Sequence, residues 1–331
     1  MRILFTGSAG FIGQYAIKEL LDHGHDVIGL DNLSKYGKTK SHLDFQQIDG
    51  DAKDVALLSE LMKDCDQVVA GAAMIGGIGY FHQFSYDLLA ENDRILASTF
   101  DAAIQSYQKG TLQKINVLSS SMVYENATQF PTPEGHEKQI PSPESSYGFQ
   151  KLACEYYARA AFDQYQLPYT IIRPFNCVGI GEIKPQAMDE EISMVMGHVV
   201  TDLVLKVLKG QDPLHILGDG SQIRHFTYGG DLARGIRLCI ESDKSICEDF
   251  NLSTPQSTTI LELAEMIWRK IHPDLPFNFV SDPSFQHDIS QRIPDVTKAK
   301  EILGFEANTS LSSVLDEVIP WVEQQMKEKR L

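Results

Sequence analysis

The run Thr6-Gly7-Ser8-Ala9-Gly10-Phe11-Ile12-Gly13 constrains this chain more than any other segment. It stands between a short β-rich stretch, Arg2–Thr6, and a helical pattern whose apolar positions are Phe11, Ile12, Tyr15, Ile17, Leu20 and Leu21. Glycines so spaced suit a strand–loop–helix unit. Gly7 permits a tight turn, Gly10 lets a ligand approach the backbone, and Gly13 lets helix pack closely on strand. The N–H groups at the helix start, with the helix dipole, attract negative charge such as a pyrophosphate. The spacing is GxxGxxG rather than GxGxxG, so the loop is informative only in its context.

That context is an alternation of strands and helices. Asp26–Leu30, Phe45–Asp49, Gln67–Gly71, Lys114–Leu118 and Tyr169–Arg173 read as strands. Asp54–Met62, Tyr86–Tyr107 and a segment opened by Ser142-Pro143-Glu144 and reaching about Tyr165 read as helices. Such βαβ units predict an α/β fold with a doubly wound parallel sheet of the Rossmann kind. After Pro174 the pattern changes. An irregular polar stretch, 179–197, precedes helix Thr201–Lys209, strands Leu214–Leu217 and Arg224–Tyr228, a helix near Asp231, and helices Thr259–Ile271 and Leu311–Lys327. At about 150 residues per domain, 331 residues suggest one large domain or two ordinary ones. The expectation is a first domain over 1–174 and a smaller α+β domain over 175–331, some of whose elements return to the first.

Asp31 follows the second strand, 18 residues after Gly13, where a carboxylate can accept from both hydroxyls of an adenosine ribose and repel a 2′-phosphate. NAD is therefore favoured over NADP, although Lys35, Lys38 and Lys40 lie close enough to hold that phosphate. Asp51, after the third strand, could bond the adenine amine or be an ordinary loop acid. Tyr147 and Lys151 are four apart at a predicted helix start and share a face. A phenol is a poor base at pH 7. A nearby ammonium and a positive nicotinamide would favour its ionised form, making Tyr147 a candidate general base toward a sugar hydroxyl. The strand before it ends in Leu118-Ser119-Ser120-Ser121 and supplies hydroxyls for the same substrate oxygen.

Together these segments resemble the extended short-chain dehydrogenase/reductase family of nucleotide-sugar epimerases and dehydratases. The resemblance rests on TGSAGFIG (6–13), LDN (30–32), LSSSMVY (118–124), YGFQK (147–151), RPFNCVG (173–179), GDGSQIRHFTYGGDLA (218–233) and RIPDVTKAKEILGF (292–305). It implies NAD as cofactor, held by Gly7, Gly10, Phe11, Ile12, Gly13, Asp31, Asn32, Asp51, Ala72, Asn92, Tyr147 and Lys151. It implies Ser120, Tyr147 and Lys151 as the catalytic set. Ser121, Asn176, Arg224 and Arg292 would hold a nucleotide-diphosphate sugar, the arginines by bidentate contact with phosphate oxygens.

The dehydratases of this family commonly carry Asp-Glu directly after the catalytic serine or threonine. Here Ser121 and Met122 stand there, and a thioether transfers no proton. C4 epimerisation through a transient keto sugar is the simplest remaining outcome, with a net dehydrogenase, a dehydratase, a 3,5-epimerase or a dinucleotide-binding sensor as rivals. The loop from Ala72 to Phe81 resembles that of GDP-mannose 3,5-epimerase. Its glycines Gly76, Gly77 and Gly79 would let Tyr80 and His82 act as proton donors, or it is a plain connector. That enzyme's cysteine is missing, since Met122 occupies the position. His225, where the family has Asp, reads as a structural histidine and Cys177 as a small buried residue.

Composition bounds the partners. Forty-five acids against 29 bases give a net charge of −16, which speaks against nucleic acid and anionic membranes. No apolar run is long enough to span a bilayer. The N-terminus lacks the long apolar region of a signal peptide. Five scattered cysteines form no CxxC pair and fit a reduced, cytoplasmic protein without a metal site. The resemblance also implies a homodimer formed through helices 86–107 and 148–165.

Overall fold

A computed structural model describes residues 1–35, 37, 41–75, 83–182, 199–283 and 289–328. Its centre is a seven-stranded parallel sheet of β1 (Arg2–Thr6), β2 (Asp26–Asp31), β3 (Gln46–Asp49), β4 (Gln67–Ala70), β5 (Lys114–Leu118), β6 (Tyr169–Pro174) and β11 (Glu248–Leu252). Across the sheet the order is β11-β6-β5-β4-β1-β2-β3. The chain winds outward one way from β1 to β3, then crosses to β4 and winds the other way. The reversal falls between β1 and β4, whose register pairs Thr6 with Ala70. Helices leave the two strands on opposite faces there, and their carboxyl ends open a crevice.

Successive side chains of a strand face opposite ways, and both faces of this sheet are covered. Leu4, Val68, Ile115 and Val117 pack with Leu58, Leu96, Phe100 and Ala158, from helices α2 (Val55–Leu61), α3 (Ser85–Gln108) and α4 (Ser146–Tyr165). Ile3, Phe5, Val69 and Phe250 pack with Ile17, Leu20, Ile236 and Ala299 on the other side. Those residues come from α1 (Phe11–Asp22), α6 (Gly229–Glu241) and α8 (Thr297–Leu303), so late parts of the chain complete the first layer system. Arg237 of α6 binds Glu19 of α1 at 2.8 Å across the same seam.

A second core lies apart from the sheet. Helices α5 (Val199–Leu208), α7 (Ile260–Ile271) and α9 (Leu311–Lys327) surround β8 (Leu214–Leu217), burying Leu203, Val204, Ile216, Leu263, Trp268 and Val318. β13 (Phe279–Asp282) pairs in parallel with β8.

Several boundaries differ from the sequence reading. α4 starts at Ser146, not Ser142, because Ser145 is its N-cap and accepts from the Gly148 N–H. The expected strand 224–228 is two short strands with different partners. β9 (Ile223–Arg224) runs antiparallel to β12 (Thr258–Thr259), and β10 (Thr227–Tyr228) runs parallel to β7 (Cys177–Val178). β11, β13 and α8 had no counterpart in the sequence reading. Most of the polar stretch expected over 179–197 lies outside the described residues.

Candidate active site

The strand ends and the second core enclose one large cleft, of about 1610 Å³. Its floor is the glycine loop. Gly7 has φ +78°, and a Cβ there would stand 2.8 Å from the Ala72 nitrogen. A Cβ on Gly13 would stand 2.4 Å from the Gly7 oxygen, so the helix could not approach the loop. Gly10 caps α1 with no side chain, and the first turn of α1 carries no acid. No side chain of α1's own first turn offsets the positive end of the helix, which faces the cleft through Gly10, Phe11, Ile12 and Gly13.

Asp31 ends β2 beside this loop. Its Oδ2 accepts from the Ala9 N–H at 2.9 Å and its Oδ1 from the Leu33 N–H at 2.8 Å. The carboxylate holds the loop and still lines the cleft. Asn32 and Asp51 line it too. Asn32 is exposed and accepts from the Ser34 N–H, while Asp51 accepts from the Lys53 N–H. Thr6 Oγ1 accepts from the N–H groups of Gly71 and Ala72, which sets the exit of β4. Lys35 also borders the cleft, and burial lowers its ammonium pKa to about 8. The loop, the helix end and the Asp31 carboxylate fit the pyrophosphate and ribose of a dinucleotide.

Asn92 is buried on α3 and is not part of the large cleft lining. Its side chain accepts from the Met74 N–H at 2.6 Å and donates to the Met74 oxygen at 2.9 Å, pinning the segment after β4. Gly76, Gly77, Gly79, Tyr80, His82, Lys38 and Lys40 lie outside the described residues.

Tyr147, Lys151 and Ser120 meet at the end of β5. Lys151 donates to the Leu118 oxygen at 2.8 Å, which brings its Nζ to 5.8 Å from the Tyr147 ring centre. Ser120 caps a short 3₁₀ turn, Ser121–Tyr124, and its Oγ accepts from the Met122 N–H. All three side chains line the cleft and are largely buried. Tyr147 sits in an apolar group with Leu88 and Met122, flanked by Met74, Ile75 and Ile289. Ser121 is buried beside it and also borders the cleft.

The wall opposite carries the positive side chains. The Ile223 oxygen accepts from Arg224 Nη1 at 2.9 Å and from the Arg292 N–H at 3.2 Å, so both arginines stand at one point of the lining. Asn176 reaches the cleft with φ +29°, and its Oδ1 is buried without a hydrogen-bond partner among the described residues. His225 turns away: its Nδ1 shares a hydrogen bond with the Thr254 oxygen, and burial lowers its pKa. Cys177 borders the cleft, but burial pushes its thiol up to about 12, which removes it as a nucleophile at neutral pH.

Two features escaped the sequence reading. Glu125 accepts from the Ser145 N–H and Oγ and so fixes the start of the Tyr147 helix. Arg173 of β6 is fully buried among Glu155, Glu137 and Asp249. Burial alone would lower its pKa, but these carboxylates hold it well above the ordinary value. The available signals were a charged residue inside the strand Tyr-Thr-Ile-Ile-Arg, and Glu155 one turn beyond Lys151.

A parallel sheet with a dinucleotide-fitting loop at its reversal point, and a serine–tyrosine–lysine set beside it, defines a class of enzyme. The family model "NAD dependent epimerase/dehydratase family" matches residues 3–253, and the chain belongs to that family. It is 29% identical, over 98% of both chains, to the UDP-N-acetyl-alpha-D-glucosaminuronate decarboxylase of Bacillus cytotoxicus. Among solved structures it resembles the UDP-glucose 4-epimerase of Thermotoga maritima with UDP-glucose, at TM-score 0.82 and 27% identity. That match covers 98% of this chain and 100% of the other. The UDP-glucuronic acid 4-epimerase of Bacillus cereus, in complex with UDP-glucuronic acid and NAD, superposes at TM-score 0.81 with 26% identity. Here the shares covered are 98% and 99%. Among the described residues no helix is long and apolar enough to cross a membrane.

Proposed function

We propose that this chain is an NAD-dependent nucleotide-sugar epimerase acting at C4 of the sugar. The observation that carries this reading is the company of Tyr147. It has Lys151 and Ser120 beside it, and a buried thioether, Met122, where a second proton-transferring group would stand. Tyr147 takes the proton of the sugar hydroxyl, with Ser120 hydrogen-bonded to the same oxygen. Lys151 would hold the nicotinamide ribose, its ammonium fixed near the Tyr147 ring by the Leu118 oxygen. NAD, when bound, would supply the hydride-transfer chemistry for oxidation and re-reduction at C4, and Tyr147 would give its proton back to the re-formed hydroxyl once the keto sugar has turned its other face. Gly7, Gly10, Phe11, Ile12, Gly13, Asp31, Asn32, Asp51 and Ala72 bind the dinucleotide, and Asn92 supports them from behind. Ser121, Asn176, Arg224 and Arg292 bind the nucleotide-diphosphate sugar.

In this reading the chain divides near Pro174 into a cofactor domain and a substrate domain, with α6, β11 and α8 returning to the first. It works in the cytoplasm as a homodimer. Phe149, Tyr156 and Tyr157 on α4 expose 47%, 62% and 38% of their surfaces, and a second copy would cover them.

Incubation with UDP-, GDP-, CDP- and dTDP-sugars, followed by NMR, tests the function. The expected result is a C4 epimer formed without added NAD(H). Accumulating NADH would point to a net dehydrogenase, and a product shortened by carbon dioxide to a decarboxylase. Sedimentation of the protein and of Tyr156→Glu tests the dimer, which the variant should dissociate.

A further inference from the structure

The buried charges behind the cleft are not used by the proposed chemistry, yet they touch every element that carries it. Ser119, the residue before Ser120, donates through Oγ to Glu155 Oε1 at 2.7 Å and lies 3.4 Å from the Lys151 oxygen. Glu155 follows Lys151 by one turn and Tyr147 by two on α4, so the three share a face. Arg173, at the end of β6, grips Glu155 with two bonds of 2.7 Å. Its remaining Nη1 donates to the Tyr124 hydroxyl at 2.8 Å, at the end of the 3₁₀ turn that Ser120 caps. Ser119, Glu155 and Arg173 expose 4%, 0% and 0% of their surfaces, so water cannot replace these contacts.

A carboxylate–guanidinium pair in this position is a costly way to fill a core. Its geometry, however, is bidentate and directional, which an apolar contact is not. The strand end bearing Ser120, the helix bearing Tyr147 and Lys151, and the neighbouring strand touch elsewhere, through the β5–β6 ladder and the Lys151 bond to the Leu118 oxygen, but only here does one buried side-chain network join all three. We infer that Ser119, Glu155 and Arg173 form a clamp that sets the distance of Ser120 from Tyr147 and Lys151. They are positioning residues and touch neither substrate nor cofactor. This inference rests on the proposed role of Ser120 and Tyr147, since only a proton transfer between fixed groups makes the spacing matter.

Ser119→Ala removes the hydroxyl that joins Ser120's strand to Glu155 and leaves the Arg173–Glu155 pair intact. It is expected to lower kcat about tenfold, with KM within twofold, with the bound NAD of the parent, and with a melting temperature only a few degrees lower, as one lost buried bond requires. Ser119→Thr keeps the donor and should restore most of kcat. Hydrogen exchange reads the clamp without any substrate. Amides of Ser120–Val123 should exchange faster in Ser119→Ala, while those of β1 keep the parent rate. Glu155→Gln should show the same split, and if it does not fold the serine pair still decides.

An unchanged kcat with unchanged exchange in Ser119→Ala overturns the clamp. So does a tenfold loss matched by an equal rise in KM or by loss of NAD, or a folded Ser119→Thr as slow as the alanine variant. If the parent itself converts no nucleotide sugar, the reaction assigned above fails, and exchange alone then judges the clamp. Parental activity with an indifferent Ser119→Ala fails the clamp and leaves that reaction standing.

Discussion

Tyr147 joins a sequence spacing to a reaction. The four-residue interval to Lys151 placed both on one helix face, and the Leu118 oxygen then fixes the ammonium near the ring. Tyr147→Phe keeps the packing with Leu88 and Met122 but removes the acid–base group. It is expected to lower kcat by about 10²–10⁴-fold while the protein keeps its NAD; single-turnover formation of NADH, followed by absorbance, measures the loss. The places of the glycine loop, Asp31, and Tyr147 with Lys151 were legible because a strand–loop–helix frame and a four-residue helix spacing fix them. Asn92 was less so. The family resemblance alone marked it, and nothing in the sequence says that both its amide bonds go to the Met74 backbone. Glu125 gave no signal at all, since a carboxylate that caps another element's start is defined only by the fold.

At the scale of elements, the N-terminus of α4 is closed in on three sides. A Cβ on Gly148 would come within 2.7 Å of Pro143, 2.8 Å of Glu125 Oε2 and 2.9 Å of the Met122 oxygen. Gly148→Ala must push the helix start away from the 3₁₀ turn that follows Ser120. A loss of stability of about 1–3 kcal/mol is expected from overpacking, with a larger proportional loss of kcat, both measurable on the same preparation by urea titration and turnover. Arg173→Met is a different kind of change, because it removes the fully buried cation of a network and leaves Arg159 alone to Glu155 and Glu137 and Lys298 to Asp249. It should cost about 3 kcal/mol, the low end for a broken buried pair, read as a fall in the urea midpoint. The five central strands with clear β-rich runs were legible from periodicity, and so were the helices between them. β11 was not: Glu-Asp-Phe-Asn-Leu has little strand character, and it is extended because β6 offers it five paired positions. The split of 224–228 has the same origin, since two different partner strands claim its two ends. Pairing between distant segments leaves no local periodicity to read.

For the whole molecule, the distribution of charge matters more than its sum. A net −16 covers a chain whose cleft, although acids line it too, presents a helix N-terminus without an acid in its own first turn, and Arg224 and Arg292. An acidic protein thereby retains a local affinity for phosphate. Buried titratable groups impose a further property, the response to alkali. Burial raises Cys65 from 9.0 to about 11, and Cys154, Cys177 and Cys239 to about 12. Folded thiols keep protons that the unfolded chain releases above pH 9, so these four contribute stability that is lost as pH rises from there. Lys114 acts in the opposite sense. Burial lowers its pKa from 10.5 to about 8, so between those values the folded chain has shed a proton that the unfolded chain retains. That group alone makes stability rise from pH 8 to 10.5. Lys35, whose ammonium burial also lowers to about 8, acts in the same sense as Lys114. Among these groups the balance near pH 10 is four thiol protons against two ammonium protons, a net of two favouring the unfolded state as pH climbs. At 1.36 kcal/mol per proton and pH unit these groups give a fall of about 3 kcal/mol per unit. Urea unfolding at pH 8, 9, 9.5, 10 and 10.5 is expected to give a nearly level midpoint up to 9 and a steep decline beyond it. Lys114→Met should make that decline steeper, because one of the two opposing groups is gone. A midpoint that stays level through pH 10.5, or a variant with an unaltered slope, would show that the thiols and the lysine are not held in the protonation states their burial dictates.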